Sequence, residues 1–148
     1  MTAHVQLRLI MTTADTELLG LIVSGSTMLW GLWLFNPHVN TFDTSASYRM
    51  FRQIGELLQA LGSPMDPEAF WGLLISVFGG LHFWGTMTGS LFLRRWGAFS
   101  TALLRASMFV FTGLSSNWTN GGLPDFFCWA VASGWIYWRL SGSYRVPR

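Results

Sequence analysis

Residues Ala69 to Leu93 read AFWGLLISVFGGLHFWGTMTGSLFL and hold no Asp, Glu, Lys or Arg over 25 consecutive positions. A helix of that length rises about 37 Å, which exceeds a bilayer hydrocarbon core of ~30 Å. The stretch therefore predicts a membrane-spanning helix over 69–93, and the flanking segments are read as its partners in a bilayer. Asp66 and Pro67 ahead of it suit the cap and the first helical position. Arg94 and Arg95 follow it, where positive charge complements the negative end of a helix dipole.

Working outward, Leu18 to Phe35 is a second charge-free run, preceded by Asp15, Thr16 and Glu17 and stopped by Asn36-Pro37. The spacing predicts two further spans, over 96–114 with a reversal at Gly97, and over 123–140 opened by Pro124 and Asp125. Between the first two spans, Met50, Phe51, Ile54, Leu57, Leu58 and Leu61 recur at helical spacing opposite Arg49, Arg52, Gln53 and Glu56. That pattern predicts an interfacial amphipathic helix over 47–61, capped by Thr44, Ser45 or Ser47 and ended at Gly62. Residues 1–14 read as a frayed interfacial segment. The fold class is thus all-α: an integral membrane four-helix bundle forming one domain over 1–148.

Composition agrees. Charged residues make up 11% of the chain, hydrophobic residues 51%, and nine Trp and twelve Phe provide aromatic rings of the kind that gather at bilayer interfaces. All the basic residues are arginines, dispersed between apolar spans rather than collected on one polar face, so nucleic acid is not an expected partner. The single cysteine, Cys128, excludes an intramolecular disulfide. With four spans, Arg8, Arg94, Arg95, Arg139, Arg145 and Arg148 share one side and Arg49 and Arg52 the other. The excess of positive charge on the first side predicts both termini in the cytoplasm.

Small residues recur every four positions at Gly72, Ser76 and Gly80, again at Gly85 and Gly89, and at Ala130 and Gly134. Such spacing lets helix backbones approach closely, within one chain or between chains, so a homo-oligomer or other membrane subunits are the expected protein partners beside the bilayer.

Two residues stand out as an intramembrane polar site. Arg105 falls near the middle of the third span, where a charge costs ~2.5–3.5 kcal/mol on insertion scales. Two placements fit it: facing the bundle interior as part of a polar path, or snorkelling to the headgroups. His82 lies mid-way along the central span. The other histidines, His4 and His38, fall outside the spans, so a haem held by facing histidines is disfavoured and a bond to a neighbouring Ser or Thr is expected. Ser24 and Ser26 near His82 offer a thin basis for a nucleophilic pair, and helical serines among small residues read as packing. No phosphate loop, metal-ligand cluster or pair of carboxylates stands inside the spans. Neither a catalytic role nor a cofactor is expected.

The segments WGLWLFNP, TFDTSASYRMFRQIGE and EAFWGLLISVFGGLHFWG, covering roughly residues 29–85, resemble a loose group of small multi-span membrane proteins encoded by tailed bacteriophages. The resemblance implies a viral protein in a bacterial inner-membrane setting and transfers no catalytic residue. Small size, several spans and a basic C-terminus then suggest a holin-like protein that self-associates to permeabilise or remodel the membrane. The alternative is a structural or accessory subunit, or a virion or ejection component, in a larger membrane-associated assembly.

Overall fold

A computed structural model describes residues 3–36, 38 and 41–142, leaving aside the side chains of 3–14, 43 and 44. Every regular element among them is helical: α1 (Ala3–Leu34), α2 (Thr41–Thr44), a 3₁₀ turn (Ala46–Tyr48), α3 (Arg49–Ala60), α4 (Pro67–Thr88), α5 (Leu91–Ser115) and α6 (Leu123–Gly142). Three segments are long and apolar enough to cross a membrane: Asp15–Leu34, Pro67–Thr88 and Leu91–Ser115. The expected fourth span forms a helix of 20 residues, α6, but does not reach the same apolar content.

The charge-free stretch is not one helix. α4 starts where expected, with Asp66 Oδ1 accepting from the Ala69 amide at 2.9 Å and Pro67 in the first turn. It stops at Thr88 because Gly89 takes a left-handed conformation, φ +69°. α5 then begins at Leu91, earlier than the expected 96, so the reversal falls at Gly89-Ser90 and not at Gly97. Arg94 and Arg95 consequently lie in the first turn of α5, where the helix dipole disfavours positive charge. Their compensation is tertiary: Arg94 pairs with Glu17 at 3.3 Å and the Arg95 guanidinium sits 5.4 Å from the Tyr137 ring centre.

α1 also differs from expectation. It is helical from Ala3, so residues 3–14 continue the first helix rather than forming a separate frayed segment, and Asp15, Thr16 and Glu17 sit within the helix rather than ahead of it. α3 matches the amphipathic segment, preceded by the 3₁₀ turn. Tyr48, not a Ser or Thr, occupies its N-cap, and no side chain caps it there. Its end is a Schellman arrangement, in which the Gly62 amide donates to the Gln59 carbonyl and the Ser63 amide to that of Leu58, both at 3.0 Å, with Gly62 at φ +102°. Phe51 is buried on its inner face, while Leu57 and Leu61 stay exposed.

α1 packs on α4, α4 on α5, and α5 on α6; α1 touches α5 little. The core has two parts. At the end covered by α2 and α3, Leu34, Phe42, Phe51, Trp71, Ile75, Leu104, Met108 and Phe126 form one cluster. Trp71 is fixed there by an edge-on contact with Phe51 at 5.1 Å and by its indole N–H, which donates to the Phe51 carbonyl at 2.9 Å. At the other end Val23, Ala98, Ile136 and Leu140 form a smaller cluster. The outside is apolar: Leu29, Trp84, Phe92, Leu103 and Trp138 are each more than 60% exposed. A belt of that kind is far beyond the scattered apolar residues of a water-facing surface and suits a lipid solvent.

Candidate functional site

Polar side chains sit inside this apolar shell. On α5, Thr101, Arg105 and Thr112 share one stripe with Gly97 and Met108, spaced by three or four residues as one helix face requires. Thr101 and Thr112 are fully buried and Arg105 is 4% exposed. Ser24 and Thr27 of α1, His82 of α4 and Ser133 of α6 are fully buried as well.

Several of these groups satisfy themselves locally. The hydroxyl of Ser24 donates to the Gly20 carbonyl, that of Thr27 to Val23 at 2.8 Å, and that of Ser133 to Trp129 at 2.8 Å. Such back-bonding to the preceding turn lets a hydroxyl lie in an apolar interior without a tertiary partner. Thr101, Thr112 and Ser76 do not do this, and their buried hydroxyls have no hydrogen-bond partner.

Arg105 is held by α1. Its Nη2 donates to Thr27 Oγ1 at 3.2 Å, and its guanidinium carbon lies 5.3 Å from the Trp30 ring centre. Its Nε is buried without a partner. The Arg105 side chain is therefore enclosed in the interior of the chain. Among the described residues no carboxylate lies within ion-pair distance of it. Asp125, the acid whose field reaches Arg105, is exposed at the start of α6. Arg105 also acts outward: burial pushes the Tyr48 phenol in the 3₁₀ turn above its usual range, and the Arg105 charge draws it part of the way back.

His82 departs from expectation. Both ring nitrogens are buried and unpartnered, so the expected bond to Ser or Thr is not made. Thr86 Oγ1 donates to the His82 backbone carbonyl at 2.9 Å instead, because a threonine one turn later reaches the carbonyl more readily than the ring. Ser24 bonds its own helix, so it and His82 do not form a nucleophile and base. Among the described residues no His, Cys, Asp or Glu cluster is placed to hold a metal ion.

The small residues divide by location. A Cβ on Gly72 would stand 2.6 Å from the Phe35 amide nitrogen, and one on Gly85 the same distance from that of Arg94, so both lie at helix contacts. Ser76 faces Gly31, whose Cβ would meet the Ser76 amide nitrogen at 2.5 Å. Gly80 has only the Met28 sulfur at 3.9 Å. Gly89 has open space around it and serves the turn, so it packs no helix within the chain. Gly134 likewise meets nothing within 4 Å, and beside it Ala130 is half-buried. Gly134 does not pack a helix inside the chain, while Phe126, Ser133, Ile136 and Leu140 of α6 are turned inward. The contacts missed in the sequence include Gly79, against the backbone of Thr27 and Met28, Gly97, against His82, and also Gly31, Gly55 and Gly113. These glycines are visible in the sequence but outside the four-residue spacing that marked the others. Comparison of the chain with family models, curated proteins and solved structures returns no match.

Proposed function

We propose that this is a non-enzymatic integral membrane protein in which α6 joins α1, α4 and α5 as a fourth span, and that it acts in a holin-like way. In this reading it self-associates in a bacterial inner membrane and opens a polar path. The observation that carries the reading is the α5 stripe, which holds a positive charge near the middle of the helix and the unpartnered hydroxyls of Thr101 and Thr112 on the same face, behind an apolar exterior. A helix with only a packing role has no use for groups that cost this much in lipid. Arg105 lies at the join of α1 and α5, which touch little, so separating these two helices bares the stripe. The bacteriophage setting comes from the resemblance of residues 29–85. The orientation, with both termini cytoplasmic, follows from the arginine distribution, of which Arg145 and Arg148 lie outside the described residues.

A second reading, a structural or accessory subunit, is favoured by one feature. Gly134 leaves a small-residue position on α6 that meets no other described element. The test is membrane potential in live bacteria after induction, comparing wild type with Arg105→Leu. Permeabilisation predicts that wild type collapses the potential and Arg105→Leu does not. If wild type leaves the potential intact, the holin-like reading is refuted and the accessory one stands.

A further inference from the structure

Among the described residues no acid pairs with Arg105. Of the acids whose side chains are described, Glu17 pairs with Arg94, Glu56 with Arg52, Asp66 caps α4 and Glu68 accepts from the Thr41 amide at 2.7 Å. Asp15 and Asp125 are exposed to the surroundings. A lipid phosphate or a carboxylate of another chain is shut out, since the side chain is 4% exposed and covered by Thr27 and Trp30 of α1. Isolated charges in an apolar medium are costly enough that buried ones are found paired.

Donors for a counter-ion are present. The Arg105 Nε–H and the Thr101 hydroxyl are both buried and unpartnered, and they stand one turn apart on the same face of α5. Side chains one turn apart on a helix are neighbours. The depths agree as well. Gly97 rests on His82 and Gly79 on Thr27 and Met28, which puts Thr101 level with the Thr27 hydroxyl that Arg105 reaches.

We propose that Arg105 and Thr101 bind one small monovalent anion, of halide size, at mid-depth between α1, α4 and α5. One positive charge and two donors suit a monatomic ion. Sulfate or phosphate needs more donors and more room than a site closed on one side by an indole ring. The inference does not depend on whether the protein permeabilises membranes, and its readout is separate from conductance.

The test uses the purified full-length chain in lipid nanodiscs, with chloride replacing gluconate at constant ionic strength. An anion that binds only the folded state raises the melting temperature in a saturable way. A rise of roughly 2–4 °C is expected for a chain of this size, the same with bromide and absent with sulfate. Thr101→Val removes a hydroxyl that has no protein partner, so the fold survives, and it should move the chloride midpoint about tenfold higher. Arg105→Gln, where it folds, should abolish the response. Equal melting of wild type in chloride and gluconate overturns the proposal and leaves Arg105 solvated by internal water alone. An unchanged midpoint in Thr101→Val also overturns it, by placing the ion elsewhere.

Discussion

Gly79 and Gly80 are adjacent in α4, and alanine should be costly at the first position and nearly neutral at the second. A Cβ at Gly79 would stand 2.5 Å from the Met28 amide nitrogen and 2.9 Å from its Cα, while one at Gly80 meets only the Met28 sulfur at 3.9 Å. Normal contact at Gly79 requires α1 and α4 to separate by about 1 Å, and overpacking of that kind costs about 1–3 kcal/mol. Backbone is the obstacle, so no rotamer change relieves it. The Gly80 contact is ordinary and ends on a flexible thioether, so Gly80→Ala should fall within about 0.5 kcal/mol of wild type. Helix propensity cancels between the two, being the same substitution one residue apart. The assay is thermal unfolding in a fixed lipid or detergent, followed by circular dichroism and tryptophan fluorescence. Gly79→Ala should melt roughly 2–12 °C below Gly80→Ala. Equal losses, or a larger loss at Gly80, would refute the reasoning and return the α1–α4 contact to the Gly72-Ser76-Gly80 face.

Two further outcomes follow from single contacts. Trp71→Phe keeps the ring against Phe51 but removes the indole donor to the Phe51 carbonyl, which retains only its bond within α3. It should destabilise by about 0.5–1.5 kcal/mol, read in the same melts. Gly89→Ala places a Cβ on a residue at φ +69° with open space around it, so the cost is backbone strain alone, about 1–2 kcal/mol. Asparagine at Gly89 should recover part of the loss, which a purely steric defect would not allow.

The hydrophobic period of α3 and its Gly62 stop, the Asp66-Pro67 start of α4 and the apolar length of three spans are all legible in contiguous residues. Each rests on local chemistry: a carboxylate that can reach free amides, a proline without an N–H, a glycine that tolerates positive φ. The end of α4 is not legible in this way. A turn at the membrane surface needs no charged residue, so a charge-free run can hold a helix, its cap and the start of the next helix. The same blind spot displaced Arg94 and Arg95 from the end of one helix to the start of another.

By itself, then, the sequence determined an all-helical chain with segments able to cross a bilayer, and singled out Arg105 and His82 as polar residues at depth. Tertiary structure alone decided that Arg105 lies inside against Thr27 and Trp30, that both His82 nitrogens go unpaired, and that Gly79 and Gly97 are contact positions where Gly89 and Gly134 are not. The physical reason is rotational. Successive residues on a helix point about 100° apart, so neighbouring glycines face different surroundings. Which of them meets a backbone depends on the helix that arrives from elsewhere in the chain.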